Sequence, residues 1–116
     1  MNKAILIDAE NSRVTMVTLP NGYKEWHKVM KCDMATVAFY IDDHDSVLVD
    51  DEGMLKQPER FFLYDGFHHP LAGNGLVVDC DEEGNTVDCN ATEEAVRAKV
   101  KFMNKTELMI YLYANQ

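Results

Sequence analysis

The chain has 116 residues, of which 47% are apolar, so its length and composition suit one globular domain with its own core. Twenty acidic residues against eleven basic ones give a formal net charge of −9. That charge argues against nucleic acid or an anionic membrane surface as the main partner, because like charges repel. It leaves room for a small anionic ligand in a locally basic pocket.

The first half of the chain predicts two β-hairpins with one helix between them. Residues 4–8 and 13–19 have the apolar and polar pattern of strands, with turn residues between them, and form the first expected hairpin. Residues 34–40 and 46–49 have the same pattern and form the second. Between the hairpins, Tyr23, Trp26, Val29 and Met30 follow helical spacing. We expect this helix, residues 23–31, to pack on a sheet with Trp26 as its core anchor.

Two strands and a third hairpin follow. The strands are expected at residues 60–64 and 71–78, the second with two glycines near its start. Residues 79–89 predict a hairpin whose two-residue turn would set Cys80 and Cys89 opposite each other. In a cytosolic protein these thiols would stay reduced.

The end of the chain predicts two helices around an edge strand. Thr92 is the expected cap of a short helix with acidic residues in its first turn. Residues 99–103 alternate basic and apolar side chains, which is typical of an edge strand guarded by lysines. Residues 107–114 form a final helix apolar enough to dock on the body or on another subunit. In the second case the chain would form a homo-oligomer through this helix.

Together these elements predict a single α+β domain over residues 1–116. We expect a mainly antiparallel β-sheet with two or three short helices packed on one side. The sequence has no signal-peptide pattern and no apolar segment of membrane-spanning length. We therefore expect a cytoplasmic protein that does not enter the membrane.

The acidic turn after residue 78 resembles a calcium-binding loop in part. Asp79, Asp81, Glu83 and Gly84 stand at its first, third, fifth and sixth positions, but Asn90 replaces the glutamate expected at the twelfth. The flanking segments also predict strands, whereas a calcium loop lies between helices. We therefore expect a hairpin turn and no metal at this turn.

No set of residues has the pattern of a catalytic site. The acidic residues 50–52 lie on a turn and point in different directions, and residues 42–45 read as a solvated hairpin tip. No serine or cysteine is paired with a histidine in a known motif, and no glycine-rich phosphate loop is present. We expect no catalytic residue, no metal site and no cofactor, and we favour a non-enzymatic protein.

Residues 47–78 contain the candidate ligand-binding site, which we place at Lys56, Arg60, Tyr64, His69 and Asn74. Two basic residues lie four positions apart beside aromatic rings in an otherwise acidic chain. An arginine fork suits phosphate or carboxylate, and a tyrosine ring can stack and hydrogen-bond. The nearby glycines would let a ligand approach the backbone.

A simpler interpretation of the same segment is packing. Half of the aromatic side chains in an alternating strand point inward. Arg60 would then be a surface partner for Asp65 or Glu59, and the rings would be buried.

The segments ILID, KCD, VDDEGMLK, RFF and PLAGNGLVV, followed by a DEEGN turn, occur in this order. This pattern resembles an uncharacterised family of small proteins encoded by bacteriophages and mobile elements, over roughly residues 3–102. Family members usually carry tyrosine–proline–glutamine before the Leu-Ala-Gly, whereas this chain has Phe67-His68-His69-Pro70. The resemblance implies a phage or mobile-element setting and brings no catalytic residues.

Three hypotheses for function follow. The leading one is a non-enzymatic phage accessory protein that binds a host-derived ligand, such as a nucleotide-like signal, or a host protein, and so counters host defence. The second is an acidic, DNA-mimic-like interaction protein, which requires a like-charged stripe on one face. The third is a small metal-dependent hydrolase, which requires carboxylates or histidines that converge in one cleft.

Overall fold

The computed structural model describes residues 1–115, which form nine strands and three α-helices. The strands are β1 (Asn2–Asp8), β2 (Arg13–Leu19), β3 (Ala35–Tyr40), β4 (Asp45–Asp50), β5 (Arg60–Tyr64), β6 (Leu71–Ala72), β7 (Gly75–Cys80), β8 (Thr86–Val87) and β9 (Val100–Asn104). The helices are α1 (Trp26–Met30), α2 (Glu93–Lys99) and α3 (Lys105–Ala114), and a 3₁₀ turn spans Gly53–Lys56.

The larger sheet is antiparallel and has the strand order β2-β1-β7-β4-β3, with β8 paired to the end of β7. Two of its neighbouring pairs, β1–β2 and β3–β4, are local hairpins. Strand β7 lies between β1 and β4, and its first five residues are buried because both faces of the sheet are covered. This central position explains the continuous apolar run at its start.

The smaller sheet has the order β6-β5-β9 and packs on the larger one. The core between the two sheets contains Ile5, Val47, Phe62 and Val77, and each of these side chains is fully buried. Burial of such side chains contributes roughly 1.5–3 kcal/mol each and is the main source of stability in this layer.

The helices cover three different parts of the two sheets. Helix α1 places Met30 on the far face of the larger sheet. Helix α3 places Leu108 on the outer face of the smaller sheet. Helix α2 lies beside β2, where Glu93 accepts a hydrogen bond from the backbone N–H of Met16 at 2.8 Å. The α+β class with mainly antiparallel sheet is confirmed. The expectation that the helices pack on one side is wrong, because the two sheets share one core and each leaves its other face to be covered, by α1 on the larger sheet and by α3 on the smaller.

The long strand expected at residues 71–78 is two strands in different sheets. Strand β6 pairs with β5 in the smaller sheet, and β7 pairs with β1 and β4 in the larger sheet. The chain changes sheet at Gly73, which has a φ of 76°, and at Asn74. A left-handed conformation is accessible to glycine without a steric penalty, so the change of direction occurs there.

The facing arrangement predicted for Cys80 and Cys89 is wrong. Cys80 pairs with Thr86 across the β7–β8 hairpin, and it is exposed, whereas Cys89 is buried. The cause is a longer turn. The Asp81 carboxylate accepts hydrogen bonds from the backbone N–H groups of Glu83 and Asn85, both at 2.9 Å, which organises the intervening residues into the turn.

Within residues 1–115, no helix has both the length and the apolar character needed to cross a membrane.

Candidate functional site

A pocket of about 310 Å³ lies at the end of the larger sheet where β4 and α1 end. We call it the Lys56 pocket. Its lining residues are Glu10, Met30, Lys31, Cys32, Asp50, Gly53, Lys56, Pro58, Glu59, Arg60, Gly73 and Asn74. Three of the five residues predicted for the ligand site, Lys56, Arg60 and Asn74, therefore meet in one pocket.

The 3₁₀ turn and the end of β4 fix Lys56. Its Nζ lies 3.0 Å from a carboxylate oxygen of Asp50 and 3.4 Å from one of Asp33. The hydrogen bond with Asp50 is the main cause that raises the pKa of Lys56 above its usual value. Lys56 is therefore a charged wall residue that two carboxylates hold in place.

Arg60, the first residue of β5, ties the smaller sheet to the β1–β2 turn. Its Nε donates to the carbonyl oxygen of Ala9 at 3.0 Å, and Nη2 donates to Ser12 Oγ at 2.6 Å. These contacts replace the surface pairing with Asp65 or Glu59 that was the simpler expectation. A guanidinium group has five N–H donors, so donors remain for a bound group.

Asn74 forms part of the structural wall of the pocket. It is buried, and its Oδ1 accepts a hydrogen bond from the backbone N–H of Ala9 at 2.8 Å. Its Nδ2 lies 3.5 Å from the carbonyl oxygen of Met30. The amide therefore links the β1–β2 turn with the end of α1, and this link sets the shape of the pocket.

Comparison with known protein families gives one match, which covers residues 1–102 and is described as Domain of unknown function (DUF3846). The chain belongs to this family. No curated protein and no solved structure matches the chain. The DUF3846 match includes every residue that lines the Lys56 pocket, and it ends within β9, before α3 begins.

Tyr64 and His69 lie outside the Lys56 pocket of this DUF3846 domain. Tyr64 is buried, its ring centroid is 5.3 Å from that of Phe39, and burial raises the pKa of its hydroxyl. His69 is exposed and lies with Pro70 against the outer side of the 3₁₀ turn, in a separate shallow depression. The five predicted residues therefore do not form one site.

Two residues that the sequence-based prediction did not include also line the pocket. Lys31 follows α1 with a φ of 59°, and Cys32 comes next. Burial, and then the charge of Asp50, raises the pKa of the Cys32 thiol, so this cysteine is protonated at neutral pH and is a weak nucleophile. Lys31 is the last residue of the predicted helix, and Cys32 lies between that helix and the next predicted strand, so the spacing of apolar residues does not show that either side chain faces a pocket.

The two glycines next to Asn74 have different environments. A methyl group added at Gly75 would lie 2.7 Å from Cζ of Phe62, so the close approach expected at this glycine comes from the core. Around Gly73, which lines the pocket, an added methyl group would meet no atom within 4 Å. Of these two glycines, only Gly73 has space beside its backbone that a ligand in the pocket could occupy.

Among the described residues 1–115, no group of three or more His, Cys, Asp or Glu side chains could hold a metal ion. In the acidic turn that resembles part of a calcium loop, the first two carboxylates have other protein groups as neighbours. Asp81 bonds to its own turn, and Asp79 lies 3.9 Å from His44.

Proposed function

We propose that this DUF3846 protein is a non-enzymatic binding protein that holds a small anionic ligand in the Lys56 pocket. The observation that carries the proposal is the gathering of Lys31, Lys56 and Arg60 around one cavity. Basic residues form a larger share of this lining than of the whole chain, which has eleven of them and a net charge of −9. Three acidic residues, Glu10, Asp50 and Glu59, also line the pocket, and Asp50 is paired with Lys56, so the proposal depends on Lys31 and Arg60 as the groups that face the ligand.

The polar groups of the pocket have distinct roles in this proposal. Lys56 and Asn74 are already engaged by neighbouring groups and shape the wall. Lys31 forms no salt bridge with any residue of the described chain, and Arg60 keeps N–H donors free. Lys31 and Arg60 are therefore the groups we assign to the ligand, because charge-assisted hydrogen bonds to phosphate or carboxylate are strong.

The lining of the pocket narrows the class of ligand. Within residues 1–115 no aromatic side chain lines it, so a nucleobase would find no ring on which to stack. Its volume of about 310 Å³ is at the lower end of the range for small-molecule sites. These features favour recognition through a phosphate or carboxylate group, and a nucleotide-like ligand would be held by its phosphate.

The resemblance noted in the sequence supports a phage or mobile-element setting. In that setting the ligand is host-derived, the protein acts in the host cytoplasm, and its binding counters a host defence signal. Neither direct nucleic-acid binding nor membrane binding is part of this proposal, since the acidic body would repel both.

The test combines native mass spectrometry with a matched pair of variants. The protein is purified from its host cell, and its mass is measured before and after denaturation. We expect the wild type to retain a small molecule and Lys31→Gln to lose it. The control is Lys101→Gln, which changes an exposed lysine outside the pocket and should retain the small molecule. Equal retention by all three proteins would place the ligand elsewhere.

A second measurement uses defined probes. Inorganic phosphate and adenosine monophosphate are added separately, and the melting temperature is followed. A ligand that binds only the native state raises it by mass action. A shift with phosphate or the nucleotide that disappears in Lys31→Gln supports the proposal. If the native protein carries no small molecule and neither probe shifts the melting temperature, the binding function is rejected.

The two alternative functions receive less support. A DNA mimic needs a stripe of carboxylates on one face, but the exposed acidic side chains are divided between turns at both ends of the larger sheet and helices α2 and α3. A metal-dependent hydrolase needs converging ligands, and none of the described residues form such a group.

A further inference from the structure

Helix α3 has two apolar sides, of which the protein covers one. On the inner side Leu108 is buried and Tyr111 is half-buried against the smaller sheet, where they contact the cluster of Phe61 and Met103. A helix that packs on a sheet needs one such side, and its opposite side is usually polar.

The opposite side of α3 is also apolar. Thr106, Met109, Ile110 and Tyr113 follow the spacing i, i+3, i+4, i+7, so they form one stripe along the helix. We call it the outer stripe. Met109 and Ile110 are each 64% exposed, and Tyr113 is 79% exposed. From residue 108 to residue 115 the sequence has no charged residue.

We propose that the outer stripe of α3 is a homodimer interface, in which the stripe of one copy packs against the same stripe of a second copy. An isologous contact of this kind requires a self-complementary surface, and an uncharged row of long apolar side chains is self-complementary. The dimer would bury the side of α3 that a monomer leaves in water.

The distribution of charge favours this face for contact between two copies. Each copy carries a net charge of −9, so most approaches bring like charges together. The segment around α3 carries Lys99, Lys101 and Lys105 with Glu107 as its one carboxylate. In an antiparallel pair, Lys105 and Glu107 of the first turn would flank the contact beside the uncharged last turn of the other copy.

The area is sufficient for a small but specific interface. The exposed parts of Met109, Ile110 and Tyr113 in the outer stripe, together with the flanking Leu112, amount to on the order of 500 Å² per copy, given the size of such side chains. Two copies would bury about 1,000 Å², which is near the lower limit for a specific interface. The neighbouring edge of β9 is a less suitable contact, since the exposed Lys101 disfavours strand pairing there.

The first test measures mass as a function of concentration by light scattering after size exclusion. We expect the wild type to have twice the monomer mass at high concentration. Ile110→Lys should weaken the dimer by at least ~10-fold, since a central apolar contact is replaced by a charge. Leu55→Lys, at a residue 82% exposed on the 3₁₀ turn, should behave like the wild type.

A monomeric wild type at all concentrations would overturn the proposal, as would an equal effect of Ile110→Lys and Leu55→Lys. Circular dichroism melts show whether each variant is folded. Tyr113→Ser provides a milder change at the same face, so the test does not depend on one variant.

A charge-complementation experiment tests whether the contact is between identical stripes. Positions 109 and 110 are at the centre of the outer stripe and therefore lie near the two-fold axis. We expect Ile110→Lys and Ile110→Glu each to be monomeric alone and to form a dimer when mixed. Two folded variants that stay monomeric in the mixture would contradict the symmetric contact.

A binding experiment with lipid vesicles tests whether the outer stripe contacts a membrane and not a second copy of the chain. The wild type is incubated with phosphatidylcholine vesicles, with and without phosphatidylserine, and then floated on a gradient. We expect it to stay with the soluble fraction. Flotation that Ile110→Lys abolishes would assign the outer stripe to lipid and overturn the dimer.

Discussion

Gly75 is the residue at which the packing between the two sheets is closest. It faces the ring of Phe62, which is fully buried, and an added methyl group would approach Cζ to 2.7 Å. Because this glycine does not have a positive φ, the requirement for glycine comes from space and not from backbone conformation.

Gly75→Ala is therefore expected to destabilise the fold by about 1–3 kcal/mol through overpacking. The measurement is urea denaturation of the single variant and of the double variant Gly75→Ala with Phe62→Leu. The shorter leucine should make the alanine less costly, so the two effects should not add. A single variant as stable as the wild type would mean that the sheets can separate without cost.

A second residue-scale prediction concerns Asp79, which lies across from Asp45 on β4 and β7. Burial, and then the charge of Asp45, raises the pKa of Asp79 above its usual value. The native state thus binds this proton more readily than the unfolded chain, so ionised Asp79 lowers stability at neutral pH. That cost is absent below the unfolded pKa and complete above the folded one.

We expect Asp79→Asn to be more stable than the wild type at pH 7, with an advantage that shrinks as the pH falls through the raised pKa. Asp81→Asn is the matched control of opposite sign. Hydrogen bonds from Asn85 lower the pKa of Asp81, so its carboxylate stabilises the fold above the unfolded pKa, and this stability is lost as the pH falls. Melting temperatures of the three proteins from acid to neutral pH check both directions.

At the scale of elements, local signals predicted the hairpins and non-local packing explains the errors. The β1–β2 and β3–β4 pairs were predictable because alternation and turn residues lie within one short segment. The separation of β6 from β7 could not be predicted, because both strands are buried and an apolar run in the sequence does not show which sheet a strand joins. Tyr64 was placed in the site for a related reason. Alternation in the sequence shows which side chains share a side of β5, but it does not show that α3 covers one side and the larger sheet covers the other.

The same limit applies to the candidate site. Lys56 and Arg60 were predictable as a local basic pair, and the structure places both in one pocket. Their partners were not predictable, because Asp33 and Ser12 are distant in sequence and the contacts depend on the arrangement of the sheets.

Helix α1 has one turn and a half, so its position depends on tertiary contacts. Trp26 is half-buried on the larger sheet, and its indole Nε1 donates to Thr86 Oγ at 3.0 Å. Trp26 therefore packs on the sheet, as predicted, and also forms a hydrogen bond to β8. This bond fixes the start of α1 above the β7–β8 hairpin.

Trp26→Phe should keep most of the packing and lose this hydrogen bond, at a cost of about 1 kcal/mol. Trp26→Ala should cost more, up to about 3–5 kcal/mol if the half-buried ring contributes as a core residue does. Urea denaturation gives both values, and His27→Ala, on the neighbouring position of α1, serves as the control. Equal stability of Trp26→Ala and the wild type would mean that α1 does not contribute to the core.

At the scale of the whole molecule, the acidic side chains are concentrated in turns at the two ends of the larger sheet. One end has the exposed residues Asp42, Asp43, Asp81, Glu82, Glu83 and Asp88. The other end has the Lys56 pocket, where the single charge of Lys56 lies between the carboxylates of Asp33 and Asp50. In our proposal the end with the Lys56 pocket binds an anion, whereas the opposite end exposes a group of carboxylates to solvent.

This arrangement predicts how stability responds to salt. With a net charge of −9, repulsion between carboxylates destabilises the native state, and salt screens it over a Debye length of about 10 Å at 0.1 M. We expect the melting temperature to rise with sodium chloride. The rise should be smaller in a variant with Glu82→Gln and Glu83→Gln, and unchanged in Glu25→Gln, whose carboxylate pairs with Lys28 at 3.1 Å.

Calcium chloride at the same ionic strength extends this prediction to the acidic turns. Because Asp42, Asp50 and Asp81 each accept hydrogen bonds from the backbone of their own turns and no described group could hold a metal, calcium should act only by screening. Its effect should then equal that of sodium chloride. A bound ion would add about 2.7 kcal/mol of stability at a hundred times its dissociation constant, which is far more than screening gives. If submillimolar calcium raised the melting temperature well above the sodium chloride value, the acidic turns would bind the ion. If sodium chloride lowered the melting temperature, repulsion between carboxylates would not be the main electrostatic effect.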